Sequence, residues 1–278
     1  MAPEITSIES TEFFYPIEDV GTDQHGFNLV YEPGAVTERK LFALKIEVDD
    51  GLTGEYVGGN SPGAAQINTF ADYLVGKNPL DRQQHWSEMK RALRKYDRMG
   101  IGPIDIALWD FAGKYHDAPI HELLGTYRER LPAYASTYAG DDAGGLDSPE
   151  AYADFAEDCL EMGYGGYKIH VWADELRSVD RMVETVHAVG ERVGDEMDLM
   201  LDPACEYETW GDALQVGKAC DEQDFYWYED PYRDGGITQH GHGKLKDNMD
   251  TPILQTEHVR GLEPHVDFIA NGATDFVR

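Results

Sequence analysis

The second half of the chain alternates short apolar runs with amphipathic stretches of helical period. The runs are short enough for buried strands and are bounded by turn residues. Ser148 can cap a helix, Pro149 suits its first turn, and apolar residues then recur at helical spacing up to Gly163. The six candidate strands lie at residues 131–137, 166–172, 197–203, 225–231, 252–258 and 274–278. A second covering helix follows the second strand, with its apolar face at Leu176, Val179, Met182, Val183 and Val186.

Repeated strand and helix units of this kind predict a parallel α/β sheet or a β/α barrel. A doubly wound sheet has the same local pattern and stays open as an alternative. No glycine-rich phosphate loop follows any of the strands, which argues against the nucleotide-binding form of that alternative.

The first part of the chain has a different pattern. Two β-rich runs flank Asp49-Asp50-Gly51 within residues 41–57, which predicts a hairpin. Helical stretches follow near residues 63–75, 81–98 and 101–116. We therefore predict an α+β capping domain over residues 1–128 and a partial barrel with strands 1 to 6 over residues 129–278. Residues 15–40 are rich in turn formers and precede the hairpin.

The charge is extreme, since 53 acidic residues face 23 basic ones and give a formal net charge of −30. Such a field repels nucleic acid and anionic membranes. Acid spread over the whole chain is typical of a surface adapted to high salt, where self-repulsion is screened. The start of the chain lacks a signal-peptide pattern, and no apolar run is long enough to span a bilayer. We expect a cytoplasmic protein with reduced cysteines.

Three successive candidate strands end in a carboxylate: Asp202, Glu229 and Glu257. In a barrel these positions share the carboxyl-terminal rim, where active sites are built. Carboxylate oxygens that leave room for water and substrate suit an octahedral cation such as Mg²⁺. A single acidic residue at a strand end is usually a helix cap or a solvated loop residue. The recurrence at near-equal spacing favours a magnesium site.

Lys168 and His170 lie on the preceding candidate strand. Side chains alternate across a strand, so both project to one side while Ile169 and Val171 face the covering helices. A lysine beside a divalent cation is a plausible base, and its charge can hold a substrate carboxylate. A salt bridge from Lys168 to the rim carboxylates and a hydrogen-bonded core histidine are the alternatives.

These residues, together with the Glu229-Asp230-Pro231 run and the segment ALWDFAGKYHDAPIHELLG, resemble the mandelate racemase branch of the enolase superfamily. The resemblance implies a capping domain, in which residues 15–40 correspond to a mobile specificity loop. It also implies a modified β/α barrel and one Mg²⁺ held by Asp202, Glu229 and Glu257. Lys168 would then be the carboxylate ligand and His170 an acid or base, or the two roles are exchanged. His258 would touch substrate hydroxyls.

The resemblance also implies features that this chain does not contain. Members of the family carry a His-Asp pair on the sixth and seventh barrel strands and another carboxylate on the eighth. The chain stops at Arg278, so we expect a truncated chain and an open barrel.

The expected reaction is removal of the proton next to the carboxylate of a small-molecule sugar acid, followed by dehydration to a 2-keto-3-deoxy acid. A racemase or cycloisomerase shares the first step, and a non-catalytic metal-binding or assembly fragment is the alternative from another class. We also expect a homo-oligomer. His240 and His242 are predicted to be a solvated loop pair, and Cys205 to be a buried structural thiol.

Overall fold

The computed structural model describes residues 2–24, 26, 28–170, 178–233 and 235–278. By its internal contacts the chain forms two compact units, residues 1–17 with 38–130 and residues 18–37 with 131–278. The functional division expected between residues 128 and 129 stays a prediction. No helix in the described part of the chain has the length and apolarity that crossing a bilayer requires.

The first unit combines a three-stranded sheet with helices. The sheet has the order β1 (Ile5–Thr22), β2 (Leu29–Val48), β3 (Thr53–Gly58), and β2 runs antiparallel to β3. Gly51 turns the β2–β3 hairpin with a φ of 84°, a conformation that glycine adopts freely, so the predicted hairpin is confirmed. The helices are α1 (Ser61–Ile67), α2 (Ala71–Leu74), α3 (Arg82–Ala92), α4 (Ile101–His116) and α5 (Ile120–Leu123).

Helix α4 packs directly on strand β3. A side chain at Gly54 would come within 2.1 Å of the backbone oxygen of Ala107, so the absence of a Cβ permits this close approach. Ile104, Leu108 and Phe111 on α4 are fully buried. Burial of each such side chain contributes about 1.5–3 kcal/mol, and this packing holds the sheet to its helices.

Residues 15–40 are mostly strand, whereas an irregular loop was expected, and their role as a specificity loop stays a prediction. Most of them lie in β1 and β2, which continue on both sides of residues 23–28. Within the second unit, Thr37 Oγ1 donates to Val20 O at 2.7 Å and Tyr31 N donates to Ala139 O at 2.7 Å. The turn formers Gly21 and Gly34 therefore lie inside long strands, so the composition was a poor guide here.

The second unit contains a six-stranded parallel sheet. Its strands are β4 (Ala135–Ser136), β5 (Gly166–His170), β6 (Asp198–Asp202), β7 (Trp227–Glu229), β8 (Ile253–Gln255) and β9 (Phe276–Val277). They pair in the order of the sequence, each parallel to the next. A doubly wound sheet reverses its strand order at a switch point, whereas this sheet does not. The order is that of a β/α barrel, and the predicted fold class is confirmed.

Helices cover one face of this sheet: α6 (Pro149–Glu161), α7 (Val179–Val193), α8 (Trp210–Glu222), α9 (Gln239–Lys246) and α10 (Leu262–Ala270). Ser148 caps α6 as predicted, because its Oγ accepts from Ala151 N at 3.0 Å. Ile169 and Leu201 from the strands join the buried cluster that contains Val186 of α7. Val171, Trp172 and Leu176, assigned above to the second strand and the following helix, lie outside the described residues.

Candidate metal centre

Three carboxylates meet at the carboxyl ends of neighbouring strands. Asp202 ends β6, Glu229 ends β7 and Glu257 follows β8. One carboxylate oxygen from each lies within 4.8 Å of the other two. Asp202 and Glu229 are buried, with 4% and 1% of their surface exposed, and Glu257 is half-buried. Parallel strands in sequential order account for this convergence, since their carboxyl ends share one edge.

Two cations lie between these carboxylates. Lys168 Nζ is 3.0 Å from Asp202 Oδ2 and 2.9 Å from Glu229 Oε2. Arg278 Nη1 is 2.5 Å from both Glu229 Oε1 and Glu257 Oε2. Each cation thus joins two neighbouring carboxylates, and together they offset two of the three negative charges.

Lys168 is held in its charged form by its neighbours. Burial alone lowers the pKa of Lys168, but the charges and hydrogen bonds of Asp202 and Glu229 outweigh it and raise that pKa above its ordinary value. The salt bridge that the sequence offered as an alternative for Lys168 is present. A catalytic role for this lysine stays a prediction.

His170 reaches the same carboxylate as Lys168. It lies opposite Asp202 in the β5–β6 register, and its Nε2 is 3.7 Å from Asp202 Oδ2. Its ring stacks on Tyr138 with the centroids 6.1 Å apart and the planes 9° apart. Because Ile169 faces the helices, the predicted alternation along β5 is confirmed, whereas the role of His170 as acid or base stays a prediction.

The backbone around the carboxylates is strained. Residues other than glycine with positive φ follow each of the three strands, at Ala204 and Cys205 after β6, Asp230 after β7 and Thr256 after β8. Such conformations cost about 1–3 kcal/mol each and concentrate at functional sites. Burial, followed by the charges of Asp202, Glu229 and Glu257, raises the pKa of Asp230 to about 8. Buried charge and strain therefore occupy the same edge of the sheet.

Several features of the site were not predicted from the sequence. Arg278 was given no role as the last residue of the sixth candidate strand. It follows β9 as Glu257 follows β8, and that position was the available signal. The prediction for His242 was wrong: it lies on α9, is fully buried, and its Nδ1 lies 2.7 Å from Thr238 O. Cys205 is partly exposed and not buried as expected.

His258 stands apart from the three carboxylates. Its side chain is 46% exposed, and its Nε2 lies 3.7 Å from Asp230 Oδ2. The predicted contact of His258 with substrate hydroxyls stays a prediction.

Comparison with protein families decides the identity of the fold. The model of the N-terminal domain of mandelate racemase and muconate lactonizing enzyme matches residues 20–125, and that of the enolase C-terminal domain-like family matches residues 151–278. The chain belongs to the mandelate racemase branch of the enolase superfamily. The resemblance drawn from the strand-end motifs is confirmed.

Curated relatives in this superfamily act on acid sugars or their lactones. The chain is 29% identical to L-talarate/galactarate dehydratase of Salmonella typhimurium, over 87% of this chain and 61% of the relative. It is 31% identical to D-xylonate dehydratase of Haloferax volcanii, over 82% of this chain and 60% of the relative. D-galactarolactone cycloisomerase of Agrobacterium fabrum is 29% identical, over 92% of this chain and 68% of the relative. The chain thus spans about 60% of the length of these two dehydratases.

Solved structures of the superfamily share the fold. D-glucarate dehydratase from Agrobacterium tumefaciens, complexed with magnesium, has a TM-score of 0.85 and 28% identity, over 99% of this chain and 73% of that chain. L-talarate/galactarate dehydratase from Salmonella typhimurium, liganded with Mg and L-lyxarohydroxamate, has a TM-score of 0.78, over 100% of this chain and 70% of that chain. At 24% identity the second likeness bears on the fold alone.

Proposed function

We propose that the protein removes the proton next to the carboxylate of a sugar acid, with Mg²⁺ held by Asp202, Glu229 and Glu257. The observation that carries the proposal is the convergence of these three carboxylates from three successive strand ends. The donor set fits the ion, because all three ligands are carboxylate oxygens and Mg²⁺ prefers oxygen. Lys168 and Arg278 bring two positive charges to the oxygens of the same three carboxylates. The cluster therefore attracts positive charge, as a site for a divalent cation must.

Bound Mg²⁺ would neutralise the substrate carboxylate and so stabilise the negative charge that develops there when the neighbouring proton leaves. Lys168 would add a hydrogen bond and a second positive charge to that carboxylate. His170 Nε2 would take up the proton, or donate one in the reverse assignment, with its ring held by Tyr138 and near Asp202. His258 would bind substrate hydroxyls from its half-exposed position.

The proposed overall reaction is dehydration. The electron pair left by the departing proton forms a carbon–carbon double bond as the 3-hydroxyl leaves with a proton from an acid. The resulting enol then takes up a proton and becomes a 2-keto-3-deoxy acid. The named dehydratases among the relatives support this outcome. A cycloisomerase or racemase is the second candidate, because a cycloisomerase is also among the relatives.

The test is incubation of the protein with Mg²⁺ and a panel of sugar acids in deuterated water. Dehydration predicts release of a keto acid. Exchange of the proton without keto acid release would favour the racemase or cycloisomerase. Metal binding with neither exchange nor product on any acid would favour the non-catalytic fragment and contradict the proposal.

Matched variants test the residues. His170→Asn should lower the rate by about 10²–10⁴-fold, the usual contribution of a general acid or base. His187→Asn is the control, since His187 lies on covering helix α7 and bonds to Gln223 and Glu222. An unchanged rate in His170→Asn would remove His170 from the mechanism.

A further inference from the structure

A second group of metal-ligating side chains lies on the same three strand ends. Cys205, Asp230 and His258 each offer one ligand atom, and these atoms lie within 4.8 Å of one another. Each strand end thus supplies one residue to the carboxylate cluster and another to this second group: Asp202 and Cys205, Glu229 and Asp230, Glu257 and His258. The second group is therefore a distinct set of ligands that the proposed reaction does not use as a set.

Asp230 is a buried carboxyl group that makes no hydrogen bond through its side chain among the described residues. It is 2% exposed, and neither of its oxygens has a hydrogen-bond partner among the described residues. His258 Nε2, at 3.7 Å, is beyond hydrogen-bond distance from Oδ2. A buried polar group is costly unless it is hydrogen-bonded or coordinates a metal. The carboxylate therefore has lone pairs to offer on the side where His258 and Cys205 approach.

A second buried polar side chain lies close to the Oδ1 atom of Asp230. Gln255 is 1% exposed, and neither its oxygen nor its nitrogen has a hydrogen-bond partner within the described residues. A Cβ placed on Gly236 would lie 2.6 Å from Asp230 Oδ1 and 2.8 Å from Gln255 Oε1. Two unsatisfied buried groups therefore converge, which is uncommon unless an ion or ordered water serves both.

The donor chemistry of this group differs from that of the three carboxylates. A thiolate, an imidazole and a carboxylate suit Zn²⁺, Co²⁺ or Fe²⁺, whereas Mg²⁺ prefers oxygen alone. Ligands at about 2.0–2.3 Å from a tetrahedral ion lie roughly 3.3–3.8 Å apart. The 3.7 Å between His258 Nε2 and Asp230 Oδ2 falls in that range, and the half-exposed His258 can adjust its ring.

We propose that Cys205, Asp230 and His258 form a second cation site, which takes Zn²⁺ or another divalent transition ion beside the three-carboxylate cluster. Because the two ligand sets differ in chemistry, both ions can be bound at once. Binding at the second site deprotonates the Cys205 thiol, so uptake of the ion releases a proton to solvent.

The test is a Co²⁺ titration of the protein in saturating Mg²⁺, with the absorption of the thiolate-to-cobalt charge transfer as the readout. The wild-type protein should develop this band. Cys205→Ser should abolish it, and His258→Gln and Asp230→Asn should weaken Co²⁺ binding by at least about 10-fold. Zn²⁺ should displace the cobalt and remove the band.

Two controls separate the site from its neighbours. Cys159→Ala removes a buried thiol of α6 outside the group and should leave the band unchanged. Asp202→Asn weakens Mg²⁺ binding by the carboxylate cluster and should also leave the charge-transfer band unchanged. His258→Gln changes a half-exposed side chain, so it keeps the test valid if the buried Asp230 variant fails to fold.

Three results would overturn the proposal. The first is no charge-transfer band in the wild-type protein at excess Co²⁺. The second is a band that persists in Cys205→Ser. The third is loss of all Co²⁺ binding in Asp202→Asn, which would place the transition ion in the carboxylate cluster.

Discussion

The core of the first unit and the carboxyl edge of the sheet in the second unit are both buried, but they bury different kinds of side chain. The first core is built from apolar residues of β2, β3, α3 and α4, such as Phe42, Leu108 and Met89. Its buried polar side chain is His85, whose Nε2 lies 2.8 Å from Asn78 O. The buried lysine and carboxyl side chains of the described residues all lie in the second unit, at Lys168, Asp202, Glu229 and Asp230.

The difference concerns how each region contributes to stability. An apolar core gains free energy from burial alone. A buried charge gains little over a well-packed apolar group even when paired, and loses much when one partner is removed. The carboxyl edge also contains the strained residues Ala204, Cys205, Asp230 and Thr256, whereas the first core has no such group of strained residues among those the structure describes. Packing does not account for this arrangement, whereas the proposed metal site would.

The largest loss of stability is expected when Lys168 is removed. Lys168→Met leaves Asp202 and Glu229 buried without their shared cation, and we expect the free energy of unfolding without metal to fall by about 3–5 kcal/mol. Added Mg²⁺ should restore more stability to this variant than to the wild type, since the ion replaces the lost charge. Chemical denaturation with and without Mg²⁺ measures both effects.

The control for this variant is a lysine–aspartate ion pair whose lysine is exposed and whose aspartate is half-buried. Lys218→Met breaks the contact between Lys218 Nζ and Asp221 Oδ2 at 2.8 Å, with the lysine 50% exposed. Its loss should cost about 1 kcal/mol or less. Equal losses in the two variants would show that the carboxyl edge is no more dependent on charge pairing than the surface.

The second prediction compares the two ends of strand β6. Asp202→Asn removes a proposed ligand at the carboxyl end and should weaken Mg²⁺ binding by about 100-fold, or roughly 2.7 kcal/mol. Asp198→Asn changes the exposed residue at the amino end of the same strand and should leave binding unchanged. Titration calorimetry measures both affinities, and similar affinities would separate the magnesium site from Asp202.

The sequence predicted the features of the second unit that follow from its repeated strand and helix pattern. All six strands of the parallel sheet lie within the predicted segments, because apolar strands and one-sided helices leave a periodic signal. The convergence of Asp202, Glu229 and Glu257 followed from the topology, since sequential parallel strands bring their carboxyl ends together. Adaptation to high salt, by contrast, stays a prediction from the net charge.

What the sequence did not predict depends on contacts between distant residues. Residues 15–40 contain turn formers, yet cross-strand pairing makes most of them strand. His242 is polar, but helix α9 buries it beside Tyr232 and Phe268. The sequence did not predict the group of Cys205, Asp230 and His258, because no potential ligand lies near Cys205 in the sequence. The fold brings Asp230 and His258 close to Cys205.

The last prediction concerns two carboxylates of the second unit whose pKa values are shifted in opposite directions. Burial raises the pKa of Asp141 from 3.8 to about 6, more than the hydrogen bond from Tyr138 N lowers it. A raised pKa means that ionisation opposes folding, so this carboxylate destabilises the protein increasingly as the pH rises from 3.8 through 6. Asp141→Asn should therefore be more stable than the wild type at pH 7, by up to about 2 kcal/mol, and the gain should vanish near pH 3.

Asp221 provides the opposing control for this prediction. Burial raises its pKa, but the hydrogen bonds from Lys218, Thr251 and Asp250 outweigh burial and leave the pKa lowered. Its charge therefore stabilises the fold above the ordinary pKa, and that contribution is lost as the pH falls through the lowered value. Asp221→Asn should be less stable than the wild type at pH 7, with a smaller difference in acid. Denaturation curves at pH 3, 5 and 7 measure both variants, and a pH-independent effect of Asp141→Asn would show that its carboxylate is not penalised by burial.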